Sequence, residues 1–428
     1  MSTAGASARL VVLGALGDLA TRHLLPALVD LHAVGTLPVG LRIVAVDRHA
    51  ITSVRCRHRL GEALERHAAT APPADRASVL ASVDYLAADL CRRPDLTEAL
   101  RGGPVTVYVA VPPDVVPDAL RALRAGGLDP ASRVVVEKPF GHDRRSARRL
   151  EALLRSLVDE RQVFRVDHFL YHQLVRDILA VRLSRGPLEA GWRSGHVEKV
   201  ELVWEEQSGA GGRTGFYDRT GALRDMVQSH LLQLLAVVAM ELPTRFGAAS
   251  FQAAREAALR HVPELSGDAV DVRSMRGRYT ASLTGTRVPA YLEEAGVDPS
   301  RETETYAQVE LEVCTPRWSG VPFVISTGKA VASPRRHVAL HLRPDGALAR
   351  TVGSSVLRFA PGPQPLRPSA LFLRDLLGDG TPLSVGDTEV DESWRVVDSI
   401  AARWRTGSPP LQEYAAGSAG PTVSRSAR

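Results

Sequence analysis

Apolar positions follow two rhythms along this chain. Up to about residue 166, short continuous apolar runs alternate with segments that are apolar at every third or fourth position. That is the pattern of strands buried on both faces and separated by amphipathic helices. The runs predict strands over 9–13, 41–46, 83–86, 105–111, 133–136 and 163–166, with helices over 19–32, 115–124 and 144–157. Such a series folds as a doubly wound parallel sheet, which gathers its ligands at the carboxyl ends of its strands. Asp167 stands at such an end. After a helix predicted over 169–183 the rhythm changes to longer strand-like runs at 197–204, 308–313, 323–326 and 337–343, with few helices between them. This predicts a second domain on a large, mainly antiparallel sheet. One segment departs from it: 224–240 is apolar at 226, 227, 231, 232, 234, 235, 237 and 238, a stripe that predicts one helix buried against the sheet. The expected architecture is thus an α/β domain over 1–168 and an α+β domain over 169–428, with a frayed tail from about Gly417.

Composition supports two packed domains and removes several function classes. A chain of 428 residues exceeds one typical core, and 44% hydrophobic with 24% charged residues excludes disorder, collagen-like repeats and coiled coil. The net charge of +5 is small for this length, and the basic residues form no stripe with interleaved aromatics, so nucleic acid is not an expected partner. Cys56, Cys91 and Cys314 stand far apart, have no metal-ligand spacing and cannot close a disulfide framework, which predicts a reducing compartment and no metal site. No apolar stretch approaches the roughly 18 residues of a membrane span, and Met1 to Arg9 lacks a signal-type pattern. These features predict a cytoplasmic protein with no membrane partner.

Chemistry concentrates in four places. Gly14-Ala15-Leu16-Gly17-Asp18-Leu19 follows the first strand and opens a helix, so its backbone N–H groups suit a pyrophosphate, although the full G-x-G-x-x-G spacing is missing and a plain tight turn capped by Asp18 fits equally. The second strand ends Val46-Asp47-Arg48, where an acidic residue suits the ribose of NAD and an arginine the 2′-phosphate of NADP. The other two places, Asp167-His168 and Arg224 to Gln233, set carboxylates and histidines inside apolar runs, where an unpaired charge costs several kcal/mol. Asp225 and His230, five apart, lie about 140° round an α-helix and share no face. A carboxylate from elsewhere, with Asp167 the best candidate, would make His230 a competent base. A cap and a core histidine explain the same residues without chemistry.

The motifs that decide between these readings run almost the whole chain. They are Gly14 to Ala20 with Leu25-Pro26, Tyr108-Val109-Ala110-Val111-Pro112-Pro113, Glu137-Lys138-Pro139-Phe140-Gly141 and Arg165 to Leu170. Further on come Arg213 to Asp218, Arg224 to Met240, Arg276 to Tyr279, Thr303 to Tyr306, Arg317 to Phe323, Gly328-Lys329 and Tyr414 to Pro421. In these motifs the sequence resembles the glucose-6-phosphate dehydrogenase family. The resemblance implies a Rossmann domain joined to a β+α domain, a homodimer or homotetramer, a sugar or sugar phosphate as substrate, and NADP as cofactor with NAD open. It implies that His230 takes the proton of the anomeric hydroxyl, with Asp167 in support. His168, His172, Lys138, Glu206, Asp225 and Lys329 would contact the substrate. Gly14, Leu16, Gly17, Asp18, Leu19, Asp47, Arg48 and Lys138 would contact the cofactor. The product would be a lactone.

The chain also departs from the family pattern. Where the family reads Tyr-Leu-Gly-Lys, this chain has Phe169-Leu170-Tyr171-His172, which loses a phenol, gains a bulky ring and replaces a permanent cation by histidine. His23 stands for a second family lysine, Asp47 for a small neutral residue and Ala419 for a tryptophan. Weaker phosphate binding is expected. This leaves a different sugar phosphate or an unphosphorylated sugar as the alternative substrate, and a non-catalytic sugar-phosphate sensor as a remote second reading.

Overall fold

The structure, a computed structural model, describes residues 8–92, 94–211, 214–245, 247–282, 288–344, 346–378 and 383–422. Arg213 of the quoted motif and residues 423–428 of the expected tail lie outside the described residues. Two compact units emerge, one of Met1–Gly141, Arg145–Tyr171 and Gln364–Asp387, the other of His142–Arg144, His172–Pro363 and Thr388–Arg428. The sequence pattern makes a single cut after residue 168, whereas the chain returns to the first unit at Gln364–Asp387.

The first unit carries a fully parallel sheet. Its strands are β1 Arg9–Leu13, β2 Arg42–Asp47, β3 Val83–Ala87, β4 Thr106–Val109, β5 Arg133–Glu137 and β6 Val163–Val166, in the order β3-β2-β1-β4-β5-β6. This doubly wound order opens a crevice between β1 and β4, where the strand order reverses. The apolar runs form strands because both faces are covered: Leu10, Val11, Leu13, Val46, Val107, Val134 and Val135 are all fully buried. β6 would leave an edge open, and the returning segment covers it through an antiparallel bridge between Arg165 and Val385. The Arg165 side chain, wholly buried, donates to Glu151 at 2.9 Å, to Glu160 at 2.7 Å and to the Val385 carbonyl at 3.3 Å. The returning segment carries the helix Pro368–Leu377, which is not among the elements that the hydrophobic rhythm predicts.

The second unit holds a mixed sheet of β7 Val197–Glu205, β8 Ser274–Thr280, β9 Tyr306–Glu312, β10 Pro322–Gly328, β11 Arg336–Leu342, β12 Val356–Phe359 and β13 Leu411–Ala415. The order is β12-β11-β7-β10-β9-β8-β13, with β7·β10 and β8·β13 parallel and the other pairs antiparallel. β8, β12 and β13 escaped the hydrophobic pattern because charged residues interrupt them, as Arg276 and Arg278 do in β8.

Three predicted helices are composites. The first is a π-helical turn Ala20–Leu24 followed by the α-helix Leu25–Ala33, and the second is a 3₁₀ turn His168–Tyr171 followed by the α-helix Gln173–Leu183. The buried stripe divides into a π-helical segment Leu223–Leu231 and an α-helix Leu232–Ala239. Among the described residues no helix is long and apolar enough to cross a membrane.

Candidate active site

In the first unit the glycine-rich turn forms because Gly14 adopts φ +80°, and a Cβ there would lie 2.6 Å from the Ala110 carbonyl oxygen. Its N–H donates to the Val46 carbonyl at 2.8 Å, so the turn is stitched to the end of β2. The Leu16 N–H donates to the Asp47 carboxylate at 3.1 Å, and His49 lies 2.6 Å from the other Asp47 oxygen. Asp47 therefore braces the turn. Arg48 beside it is exposed, and its side chain makes no hydrogen bond or ion pair among the described residues. Gly17 donates back to the Gly14 carbonyl, while Asp18 is exposed and pairs loosely with Arg22 at 3.4 Å. The N–H groups of residues 14 to 17 are spent within the turn, so what fits a dinucleotide here is the close backbone approach that Gly14 allows and the exposed Arg48, suited to a 2′-phosphate.

A second cluster sits where β4, β5 and β6 run side by side. Glu137 ends β5, and its Oε1 accepts from the Tyr108 hydroxyl and lies 3.1 Å from His168 Nε2. Burial works to raise the pKa of Glu137, but the facing imidazolium and these hydrogen bonds outweigh it and hold the carboxyl below its ordinary value. Burial likewise works against the charged form of His168, and the attraction and hydrogen bond of Glu137, helped by Asp167 and opposed by Lys138, raise its pKa. His168 Nδ1 is buried and has no hydrogen-bond partner among the described residues. A charged imidazole with one spare N–H is a donor prepared for an anion.

Asp167, only 2% exposed, spends Oδ1 on the Phe169 N–H at 2.9 Å and so caps the 3₁₀ turn that presents His168. The capping reading thus holds for one of its oxygens. Tyr171, the bulky ring, turns into the core of this unit: it is 4% exposed, stacks edge-on against Phe372 at 5.8 Å, and its hydroxyl accepts from the Leu383 N–H at 2.7 Å.

In the second unit, Glu206 and Lys329 follow the carboxyl ends of the parallel pair β7 and β10, where Glu205 and Gly328 are in register. They form an ion pair, and Lys329 Nζ lies 5.0 Å from the centroid of the Tyr217 ring. Burial first, then the charges of Asp225 and Glu304, drive the Tyr217 hydroxyl well above its ordinary pKa. His172, at the head of its helix, has its ring 5.4 Å from that of Trp204.

Asp225 and His230 both lie on the π-helical segment, and the α-helical expectation that they share no face is corrected here. π-Helical hydrogen bonds run from i to i+5, as Leu232 N–H to the Val227 carbonyl does, so residues five apart stack along one side. His230 is 5% exposed. Asp167 and Lys138 belong to the first unit, His230, Asp225, Glu206 and Lys329 to the second. Glu137 and Tyr108 lie within the motifs but carry no role that sequence alone assigns; the acidic residue next to Lys138 is the signal that marks Glu137.

Sequence models of two domains match the chain: "Glucose-6-phosphate dehydrogenase, NAD binding domain" over residues 11–177 and "Glucose-6-phosphate dehydrogenase, C-terminal domain" over 179–355. The chain belongs to the glucose-6-phosphate dehydrogenase family. Glucose-6-phosphate 1-dehydrogenase of Treponema pallidum (strain Nichols) is 32% identical over 472 residues, covering 96% of this chain and 92% of the relative. That of Gluconobacter oxydans (strain 621H) is 32% identical over 461 residues, covering 96% and 94%. Among solved structures, glucose-6-phosphate 1-dehydrogenase from Mycobacterium avium superposes with a TM-score of 0.82 at 29% identity, covering 97% of this chain and 95% of that one. A glucose-6-phosphate dehydrogenase in complex with glucose-6-phosphate matches the fold with a TM-score of 0.86 at 24% identity, covering 99% and 97%. This family member is an NAD(P)-dependent dehydrogenase, and its parallel sheet is the family's NAD-binding domain.

Proposed function

We propose that this family member oxidises the C1 hydroxyl of glucose 6-phosphate to the lactone and reduces NADP. The observation that carries this reading is the Glu137-charged His168 with its spare N–H, set at the carboxyl edge of a sheet that holds a dinucleotide turn. The bound nicotinamide supplies the hydride acceptor. His230 removes the proton of the C1 hydroxyl, with Asp167 orienting its imidazole, and a carboxylate in that role makes a histidine an effective base near neutral pH. Asp225 and Glu206 accept from sugar hydroxyls, while His168, Lys138, His172 and Lys329 hold the phosphate side. Gly14, Leu16, Gly17, Asp18 and Leu19 line the pyrophosphate, Asp47 braces their turn, and Arg48 meets the 2′-phosphate. Family resemblance supports a homodimer or homotetramer in the cytoplasm, to be checked by light scattering and fractionation.

NADPH formation with glucose 6-phosphate tests the reading, with NAD and free glucose as crossed controls. His230→Asn should lower kcat by about 10²–10⁴-fold while NADPH binding persists. Retained turnover would remove His230 as the base. His23 and His172 in place of family lysines support the second reading, a different or unphosphorylated sugar. A kcat/KM for free glucose that equals the value for its phosphate would select it.

A further inference from the structure

A cleft of about 650 Å³ in the second unit takes no part in the reaction proposed above. Its walls carry five arginines, Arg219, Arg224, Arg276, Arg301 and Arg405, against three carboxylates, Asp218, Glu302 and Glu304. The surplus is larger in effect than in count. Arg301 is committed to Asp218 at 2.7 Å. Glu304 accepts from the Leu223 N–H at 2.9 Å, and burial raises its pKa toward the neutral form.

The other arginines have donors to spare. Arg276 is 4% exposed, spends Nε on the Pro409 carbonyl at 2.8 Å, and among the described residues pairs with Glu302 alone, at 3.6 Å, whose side chain is 60% exposed. Burial lowers its pKa, and Glu302 and Glu304 do not make up the loss, so a guanidinium stands in the wall with its charge incompletely met. Arg219 gives one N–H to the Gly215 carbonyl at 3.2 Å. The Arg224 and Arg405 side chains make no hydrogen bond or ion pair among the described residues, and Arg224 meets the Glu304 carboxyl only through its charge at a distance.

Guanidinium groups match phosphoryl oxygens in pairs, and a buried one left short of partners favours such an anion over water. The volume exceeds what a lone orthophosphate needs and lies in the range of small-molecule sites, roughly 300–1,000 Å³. We infer that this cleft binds a phosphorylated small molecule with two phosphoryl groups, at a site separate from the candidate active site. A ligand there would rest on Gly221, Leu223 and Arg224, the entry to the π-helical segment.

Calorimetric titration of the full chain with inorganic pyrophosphate, under saturating NADPH, tests the site. We expect one saturable event, weakened about fivefold or more in Arg219→Gln/Arg405→Gln and tightened about threefold in Glu302→Gln, as removal of exposed charges of opposite sign requires. Tightening in Glu302→Gln cannot come from a damaged fold. The absence of saturable binding, or identical binding in all three proteins, overturns the inference. NADPH formation without pyrophosphate should be unchanged in both variants. Its absence from the parent protein would defeat the dehydrogenase reading while the titration still decides this one.

Discussion

The imidazole of His168 shows how a single side chain is prepared by its neighbours. With Glu137 on one nitrogen its pKa lies above the usual imidazole value of about 6.5, so the charge is kept to higher pH than in a free imidazole. KM for glucose 6-phosphate should stay flat at acidic pH and rise as pH climbs through that raised value. Glu137→Gln keeps the shape and removes the charge; KM at neutral pH should rise about tenfold with kcat little changed, and the onset of the rise should move to lower pH. The pair's effect on stability has two edges. The raised imidazole contributes fully below about pH 6.5 and its share is lost as pH rises through its folded value, while the lowered carboxyl contributes fully above about pH 4.3 and its share is lost as pH falls through its folded value. Tyr171 makes the opposite lesson: it reads as an altered site residue and is a core residue. Tyr171→Gly, which restores the family's glycine, should cost about 3–5 kcal/mol in urea unfolding rather than open the site.

At the scale of elements, the π-helical segment matters most. Its widened turn puts Asp225 and His230 on one side, and the segment starts at a defined point: Gly221 has φ +70°, Ala222 N–H donates to the Glu304 carbonyl at 3.1 Å, and Leu223 N–H donates to the Glu304 carboxylate. A Cβ on Gly221 would collide with that carboxylate as well as meet the left-handed backbone. Gly221→Ala should therefore destabilise by about 2–4 kcal/mol and lower kcat with it, measured by thermal unfolding and NADPH formation. Hydrophobic spacing reveals none of this, because the apolar stripe of 224–240 reads as one α-helix and carries no mark of where i to i+5 bonding replaces i to i+4.

For the molecule as a whole, the returning segment Gln364–Asp387 joins the first unit to a stretch of sequence two hundred residues away. Arg165 fixes it by donating to Glu151, Glu160 and the Val385 carbonyl. Arg165→Met would leave Glu151, 4% exposed, without its counter-charge, and should cost about 3–5 kcal/mol in denaturant unfolding. Loss of less than 1 kcal/mol would show that the covered edge of β6 does not depend on this arginine.

By itself the sequence determined the strands of the parallel sheet and the change from a parallel to a mainly antiparallel half, because continuous apolar runs are a local signal and parallel strands must be buried on both faces. It also determined the family, through motifs that run in order along almost the whole chain. Which residues share a face, and which bulky ring is core rather than site, were decided only by the tertiary structure. Tyr171 turns inward because Phe372 and Leu383 arrive from a segment far along the chain, and His168 gains its charge because β4, β5 and β6 lie side by side. Such effects depend on long-range neighbours, whose identity no local pattern encodes.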